Sequence, residues 1–235
     1  MEITKSKKTA VLLGATGLIG GYCLDYLLKA PAYGKVTVLT RTKLELKHEK
    51  LDQHIINFDL LEDYRSLLRA NDIFCCLGTT RRKAGNKAAF YKVDFTYCYE
   101  SARIAAEEGA SQFFLVSSVG SDADSLIYYF RVKGEIEKAI KELPYWSVHI
   151  FQPSVLLGER PENRWGEQLA SVIGNRVDSI TGGMLSRFRP IEAEVVAKAM
   201  VSAAQGLQRG IFTYPSGYLQ KLANEMDEEL DNRIS

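Results

Sequence analysis

The sequence predicts an α/β fold, a doubly wound parallel sheet with a small C-terminal lobe. Two observations lead to this prediction. An apolar run over residues 11–13 leads into a glycine series and then into apolar residues at helical spacing, which indicates a strand, a tight turn and a helix. Further apolar runs alternate with amphipathic stretches along the chain, which is typical of a parallel sheet whose strands are connected by helices.

The glycine series has the spacing of a phosphate-binding turn between a strand and a helix. Gly14 allows the turn, Gly17 allows the backbone to approach a pyrophosphate, and Gly20 allows the helix to pack against the strand. The free N–H groups at the start of the helix then point at the anion. These features predict a Rossmann fold whose cofactor site includes Gly14, Ala15, Thr16, Gly17, Leu18, Ile19 and Gly20.

The length and composition are sufficient for one substantial core, since 46% of the 235 residues are hydrophobic. We expect a single domain over residues 1–235, with a small substrate-side lobe formed by about 158–190 and the C-terminal segment 211–235. The 30 basic and 29 acidic residues create no overall field that would attract nucleic acid or an anionic membrane. No apolar run is long enough to span a bilayer. The expected partner is a small-molecule substrate, not nucleic acid or a membrane.

The cysteines and histidines indicate neither a disulfide framework nor a metal site. Cysteines 23, 75, 76 and 98 lie mostly in apolar segments, which suits reduced core residues of a cytosolic protein, and we expect a cytoplasmic location. The three histidines are too scattered for metal ligation, and His149 lies in a predicted strand as a core residue.

The second predicted strand, residues 35–40, ends at a residue that bears on cofactor choice. A fold specific for NAD places an acidic residue near this point to bind the ribose 2′-hydroxyl, but this chain has Arg41 with Lys43 close behind. The basic pair favours the 2′-phosphate of NADP. The alternative is that both side chains belong to a solvated loop.

The third and fourth predicted strands contribute further cofactor contacts. Strand 54–59 brings Asp59 and Leu60 to the expected adenine edge. Strand 72–78 is apolar enough to be buried on both faces. Its end should meet the cofactor, because ligands bind beyond the carboxyl ends of such strands. The residues there are Leu77, Gly78, Thr79 and Thr80. The basic loop 81–87 that follows is either solvated surface or an anion contact.

The second half of the chain continues the alternation. A long helix is predicted over 90–108, a strand over 113–118, a helix from Tyr128 and a strand over 146–151. The pattern is irregular from 158 to 190. In this stretch Arg187 or Arg189 could hold an anionic substrate. A helix over 192–205, a strand over 210–214 and a terminal helix over 219–230 complete the prediction.

The candidate catalytic residues stand near the start of the helix that opens at Tyr128. Tyr129 and Lys133 are four residues apart, so both project from one helix face. The ammonium favours the tyrosinate and is expected to lower the pKa of Tyr129. Ser117 or Ser118, at the end of the preceding strand, could donate a hydrogen bond to a substrate carbonyl oxygen. Together these groups supply what carbonyl reduction needs, namely a proton source, a cation that also holds the ribose and a polarising donor.

The order of these motifs resembles an atypical or extended short-chain dehydrogenase/reductase, and more narrowly the Tat-interacting-protein group. The resembling segments are residues 14–20, 75–81, 83–85, 117–118, 129–135 and 152–158. The resemblance implies a doubly wound parallel sheet, NADP binding, Tyr129 as acid and base, and Lys133 on the ribose. It also implies that Pro153, Ser154 and Val155 approach the nicotinamide, and it is compatible with a homodimer.

The sequence departs from the family pattern at two positions. Asp94 stands where members often carry asparagine, which puts a proton relay through that residue in doubt. Gln152 replaces the common arginine. The choice between Ser117 and Ser118 stays open.

The predicted function is that of an NADP-dependent oxidoreductase acting on a small carbonyl or alcohol. The first alternative is an NADP-binding regulatory or protein-interaction protein without catalysis. The second is an epimerase of nucleotide sugars, which needs a larger substrate domain than the chain beyond Pro153 readily provides.

Overall fold

The computed structural model describes residues 7–157 and 190–234. The strands are β1 (Lys8–Leu13), β2 (Tyr33–Thr40), β3 (Leu51–Ile55), β4 (Asp72–Cys75), β5 (Gln112–Val116), β6 (Ser147–Gln152), β7 (Leu156–Leu157), β8 (Ile191–Glu192) and β9 (Gly210–Pro215). The helices are α1 (Leu18–Lys29), α2 (Arg81–Ala84), α3 (Lys87–Tyr91), α4 (Tyr97–Glu107), α5 (Tyr128–Lys141), α6 (Ala193–Gln205) and α7 (Ser216–Ile234). A 3₁₀ segment covers Phe58–Leu68 and a π-helical turn covers Lys92–Thr96.

The main sheet has seven strands in the order β3-β2-β1-β4-β5-β6-β9, and every adjacent pair is parallel. The strand order reverses direction between β1 and β4. In an open parallel sheet this reversal leaves a crevice beyond the carboxyl ends of the strands, where ligands bind. The predicted doubly wound α/β fold is confirmed.

Helices cover both faces of the sheet. On one face the apolar side chains of α1, α6 and α7 pack against the sheet, and on the other face the 3₁₀ segment, α4 and α5 do so. Strand β4 is therefore buried on both sides. Phe74 faces the first helix layer, Ile73 and Cys75 face the second, and all three side chains are fully buried. An alternating strand can be apolar throughout only when both faces are covered.

The amino edge of the sheet is held by a buried polar cluster. Lys8 forms an ion pair with Asp72 and donates to the carbonyl oxygen of Ala204 at 3.0 Å. Asp72 also accepts from the hydroxyl of Tyr33 at 2.6 Å and from the amide of Gln112 at 2.9 Å. The cluster therefore joins β1, β2, β4, β5 and the end of α6. Buried charges need such partners, since an unpaired charge in the interior is strongly destabilising.

Several element boundaries differ from the sequence prediction. The third strand covers Leu51–Ile55, not 54–59, because the side chain of Asn57 accepts from the backbone N–H of Asp59 and begins the 3₁₀ segment there. The predicted long helix over 90–108 is interrupted by the π-helical turn at Lys92–Thr96. Part of the predicted basic loop is the one-turn helix α2.

The predicted C-terminal lobe is only partly described. Residues 158–189, which include Arg187 and Arg189, lie outside the described residues. The C-terminal segment differs from the prediction, because β9 pairs with β6 as an edge strand of the main sheet and α7 packs on the same layer as α6. No helix in the described ranges combines the length and apolar character needed to cross a membrane.

His149 on β6 is a buried core residue, as the sequence predicts. Its ring stacks on Phe114 with centroids 4.8 Å apart and on Phe212 with centroids 5.1 Å apart. Its two nitrogens share hydrogen bonds with the hydroxyls of Ser147 and Tyr214, at 2.8 and 2.9 Å. Burial, with a smaller contribution from the charge on Lys8, lowers the pKa of His149 to about 3.

The low pKa of His149 predicts acid sensitivity. Between the folded value of about 3 and the ordinary value of 6.5, the unfolded chain binds a proton that the native protein does not bind. Native stability is therefore lost as the pH falls through this range. Between pH 6.5 and pH 5 we expect His149 to account for a loss of about 2 kcal/mol in the free energy of unfolding.

The measurement is urea unfolding of the natural protein and His149→Gln at a series of pH values. The variant should be less stable at neutral pH but should lose less stability on acidification. His48→Gln, at an exposed position, serves as the control and should keep the natural pH slope. Equal slopes for the natural protein and His149→Gln would contradict the prediction.

Candidate active site

A cavity of about 670 Å³ lies at the carboxyl ends of the main-sheet strands. It extends from the turn after β1, past the ends of β2 and β4, to the ends of β5 and β6. Among the residues predicted from the sequence, its walls contain Gly14, Thr16, Gly17, Leu18, Ile19, Arg41, Leu77, Gly78, Thr79, Thr80, Ser117, Ser118, Lys133, Pro153 and Ser154. The fold thus brings together groups from six separate segments of the chain.

The glycine turn forms one end of the cavity. Gly14 has a φ of +84°, and a Cβ at this residue would lie 2.5 Å from the carbonyl oxygen of Cys76. A Cβ on Gly20 would lie 2.1 Å from the carbonyl oxygen of Gly14, so the helix packs directly on the turn. Helix α1 begins after Gly17 with no side-chain cap and no acidic residue in its first turn. Its first N–H groups can therefore bind an anion.

Arg41 lies in the cavity wall just beyond β2. The hydroxyl of Thr40 donates to the carbonyl oxygen of Thr42 at 2.9 Å, which shapes the turn that carries Arg41. Arg41 is exposed at the cavity rim, so its guanidinium is available to a ligand group there.

The predicted adenine contacts are not in the cavity wall. The carboxylate of Asp59 accepts from Lys92 at 2.7 Å and from the hydroxyl of Tyr97 at 2.6 Å, and Leu60 is half exposed on the surface. The wall in this region is formed by Phe58 and Tyr97, whose rings are 5.4 Å apart. The difference arises because the third strand ends earlier than predicted and the chain turns into the 3₁₀ segment.

Ser117, Ser118 and Lys133 lie in the wall at the other end of the cavity, and Tyr129 lies behind that wall. Tyr129 and Lys133 are one turn apart at the start of α5, and the hydroxyl of Ser118 is close enough to Tyr129 to favour its phenolate. The hydroxyl oxygen of Tyr129 is buried, and its ring packs against Phe90 at 5.8 Å. Ser118 is therefore the serine that contacts the tyrosine.

Ser117 is engaged in a different network, which sequence reasoning missed. Its hydroxyl donates to Glu137, a buried carboxylate one turn beyond Lys133 on α5, and lies 3.0 Å from the hydroxyl of Ser121. Glu137 also accepts from the amide of Gln152 at 2.9 and 3.0 Å. This network connects β5, β6 and α5, so it positions the strand ends that carry Ser118 and Pro153. The four-residue spacing of Tyr129, Lys133 and Glu137 is the signal that could have revealed it.

Asp94 is the second group whose position the sequence did not predict. It lies in the π-helical turn and forms a fully buried ion pair with Lys133, with Oδ1 2.8 Å from the ammonium nitrogen. Its other oxygen accepts from the backbone N–H of Thr79 at 2.9 Å. Burial alone would lower the pKa of Lys133, but the carboxylate of Asp94 together with Tyr129 and Cys98 acts in the opposite direction, and the pKa lies above its ordinary value.

The expected lowering of the Tyr129 pKa is wrong for this structure. Burial raises the pKa of Tyr129 above its ordinary value, and neither the charge of Lys133 nor the hydrogen bond from Ser118 is sufficient to reverse this. The charge of Asp94 acts in the same direction as burial. Because Lys133 is already paired, its effect on the phenol is weakened.

The segment after β6 completes the cavity. The backbone N–H of Ser154 donates to the hydroxyl of Ser216 at 3.2 Å, which ties the segment to the start of α7. The carbonyl oxygen of Val155 accepts from the backbone N–H of Ile191 at 2.8 Å, and Val155 itself is outside the cavity wall. The site therefore joins an anion-binding turn to a buried Ser–Tyr–Lys cluster, an arrangement that can hold a dinucleotide and exchange a proton with a bound carbonyl or alcohol.

The chain is similar to proteins of known name. It is 34% identical to protein HTATIP2 of Rattus norvegicus over 229 residues, which cover 95% of this chain and 89% of that protein. This chain belongs to the HTATIP2 family. The predicted resemblance to the Tat-interacting-protein group is thereby confirmed. Another relative of this HTATIP2-family chain is "Protein FMP52, mitochondrial" of Candida albicans, 32% identical over 227 residues, 92% of this chain and 98% of that protein. No model of a known protein family matches the chain.

Solved structures share the fold. UDP-glucose 4-epimerase of Thermotoga maritima, solved with UDP-glucose, superposes with a TM-score of 0.64 over 94% of this chain and 82% of that one, at 14% identity. UDP-glucose 4-epimerase of Thermus thermophilus, solved with NAD, gives a TM-score of 0.65 over 94% and 82%, at 12% identity. These structures show that the HTATIP2-family chain has the Rossmann-type fold of the epimerases.

The cytoplasmic location expected from the sequence is wrong. Fungal members of the family, among them those of Candida albicans, Lodderomyces elongisporus and Coccidioides immitis, are named as mitochondrial proteins. The expectation relied on cysteines that suit a reducing compartment, and reduced cysteines do not distinguish the cytosol from an organelle. The four cysteines are indeed free in the structure.

Gly134 allows the connection between β5 and α5 to pack on the helix. A Cβ at this residue would lie 2.1 Å from the backbone nitrogen of Ala123 and 2.2 Å from the carbonyl carbon of Asp122. We expect Gly134→Ala to lower the free energy of unfolding by about 1–3 kcal/mol because the connection must move away from the helix. Urea unfolding measures this.

Gly21→Ala in α1 is the matched control, because a Cβ there would meet only the carbonyl oxygen of Ala15 at 3.7 Å. It should leave stability unchanged or raise it by about 1 kcal/mol or less, as expected for alanine in a helix. A Gly134→Ala protein as stable as the natural one would show that the connection adapts without cost.

Proposed function

We propose that this HTATIP2-family chain is an NADP-dependent oxidoreductase of the short-chain dehydrogenase/reductase type. It transfers a hydride between the nicotinamide and a small carbonyl or alcohol substrate. The observation that carries the proposal is that Ser118 and Lys133 lie in the wall of a cavity whose opposite end is the glycine turn, with Tyr129 one helical turn before Lys133 and close to Ser118. The Thermus thermophilus epimerase, which shares the fold, was solved with NAD, and this supports a nicotinamide cofactor.

The residues present fit a dinucleotide. The uncapped N-terminus of α1 and the turn at Gly14 would hold the pyrophosphate, because the N–H groups there have no side-chain acceptor. Arg41 at the cavity rim would bind the 2′-phosphate of the adenosine ribose, which favours NADP over NAD. Lys133 would hold the nicotinamide ribose, and Pro153 and Ser154 would lie beside the nicotinamide.

The chemistry follows from the positions of three side chains. When bound, the reduced nicotinamide supplies the hydride that adds to the carbonyl carbon. Ser118 donates a hydrogen bond to the carbonyl oxygen, and Tyr129 transfers its phenolic proton to that oxygen as negative charge develops on it. The product is the alcohol, and the phenolate recovers a proton from solvent. Oxidation of an alcohol requires the same groups in reverse, with Tyr129 starting as the phenolate.

The cofactor preference is tested by isothermal titration with NADPH and NADH. The natural protein should bind NADPH more tightly, and Arg41→Asp should reduce NADPH affinity by about tenfold to a hundredfold because a charge-assisted contact is replaced by repulsion. NADH affinity should change much less.

Lys47→Asp is the control for this titration, since it makes the same change of charge at an exposed residue outside the cavity wall. It should leave both affinities near those of the natural protein. Equal binding of NADH and NADPH would overturn the NADP assignment, and binding of neither would overturn the cofactor site.

The catalytic role of Tyr129 is tested by following NADPH oxidation with a panel of small aldehydes and ketones. Tyr129→Phe should lower kcat by about a hundredfold to ten-thousandfold, because the proton donor is lost, while NADPH affinity stays unchanged. Tyr128→Phe is the control, since the neighbouring hydroxyl donates to the carbonyl oxygen of Lys87 on the surface.

The outcome also decides between the proposed enzyme and its alternative. Turnover by the natural protein that survives in Tyr129→Phe would remove Tyr129 from the mechanism. Tight NADPH binding with no turnover of any carbonyl would favour a non-catalytic regulatory protein.

A further inference from the structure

A buried ion pair lies directly behind the candidate proton donor. Side chains of Lys133 and Asp94 are 3% and 0% exposed, and their charged atoms are 2.8 Å apart. The second oxygen of Asp94 accepts from the backbone N–H of Thr79, so both carboxylate oxygens have partners. The cation and the N–H group favour the charged form of Asp94 and hold it in one orientation, while burial raises the pKa of its carboxyl above the ordinary value.

The backbone that carries Asp94 is unusual. The chain from α3 to α4 winds as a π-helical turn over Lys92–Thr96, and Asp94 is the buried residue of that turn. Such turns are rare and occur frequently at functional sites. Here the turn directs a carboxylate inward to Lys133, whereas Lys92 in the same turn pairs with Asp59 at the surface.

The groups that act on Tyr129 come from every segment packed around it. Lys133 on α5 favours the phenolate, and so does the hydroxyl of Ser118 beyond β5. Asp94 in the π-helical turn opposes both. The thiol of Cys98 on α4 interacts with Lys133. The charge of Asp94, in contact with Lys133, offsets part of the effect of the ammonium on Tyr129, and the effect of Lys133 is the larger of the two.

We propose that Asp94 is a positioning residue that neutralises Lys133 and thereby keeps Tyr129 in its protonated form, so that the site is set to donate a proton and reduce a carbonyl. This inference rests on the proposed function. In that direction the hydride forms the new C–H bond, the phenolic O–H bond breaks, and the proton forms the new O–H bond of the alcohol. The opposite direction needs the phenolate at the start, which Asp94 disfavours.

The burial of the phenol acts in the same sense as Asp94. The pKa of Tyr129 lies above its ordinary value, first through burial and then through the charge of Asp94. Reduction should therefore be insensitive to pH through the neutral range, and alcohol oxidation should increase as the pH rises. The isosteric change Asp94→Asn keeps an acceptor for Thr79 and removes only the charge.

The test is the titration of Tyr129 in the cofactor-free protein, read by NMR of ¹³C-labelled tyrosine. The resonance of Tyr129 is assigned by its absence in Tyr129→Phe. In the natural protein the midpoint should lie above the ordinary value of 10.0. In Asp94→Asn it should fall by about one pH unit or more, because the charge of Lys133 is no longer neutralised.

Glu137→Gln is the matched control. It removes the charge of another buried carboxylate, one turn beyond Lys133 on α5, whose hydrogen bonds come from Ser117 and Gln152. It should shift the Tyr129 midpoint much less than Asp94→Asn does. In proteins that turn over substrate, Asp94→Asn should also move the pH profile of alcohol oxidation to lower pH by the same amount.

Two results would overturn the inference. One is a titration midpoint of Tyr129 below 10 in the natural protein. This result would contradict the inference even if the Asp94→Asn variant does not fold. The other is a folded Asp94→Asn variant in which Tyr129 titrates with the same midpoint as in the natural protein. The titration needs neither cofactor nor turnover, so a failure of the proposed NADP-dependent activity would be seen separately, as absent NADPH binding or absent carbonyl reduction.

Discussion

The buried ion pair between Lys133 and Asp94 joins the three segments that form the catalytic half of the cavity. Lys133 belongs to α5, Asp94 to the π-helical turn before α4, and Thr79, which donates to Asp94, to the segment after β4. If either charge were removed, the other would be left unpaired in the interior, at a cost of several kcal/mol. The same pair that holds these segments together also determines the charge experienced by Tyr129.

The groups that stabilise the fold and the groups that a ligand can reach lie at opposite ends of the strands. At the amino edge, Lys8 and Asp72 are paired within the cluster that includes Tyr33 and Gln112, so these buried polar groups bind one another. At the carboxyl edge, α1 begins without a side-chain cap, and Arg41 stands exposed at the rim. Parallel strands place all their carboxyl ends on one side, so a single edge collects the groups that a ligand can reach.

The departures from the family pattern acquire a physical meaning in the structure. Gln152, in place of the common arginine, donates to Glu137 with a neutral amide, and the hydroxyl of Ser117 supplies another donor to the same carboxylate. That network occupies Ser117 and leaves Ser118 to contact Tyr129. Asp94, in place of asparagine, converts a polar relay position into a counter-ion for Lys133. Both substitutions change the charge next to the site and leave the Ser–Tyr–Lys geometry in place.

The sequence by itself determined the doubly wound fold, the glycine turn and the segments that reach the carboxyl edge, because hydrophobic periodicity and glycine spacing are local properties of the chain. It also located the pair Ser117 and Ser118 at a strand end, and Tyr129 with Lys133 on one helix face, because these spacings are local as well. Only the tertiary structure showed that Ser117 donates a hydrogen bond to Glu137. It also showed that Asp59 forms an ion pair with Lys92 and that Asp94 forms one with Lys133. These contacts join segments distant in sequence, and the pKa of a buried group depends on the charges and burial that such contacts create.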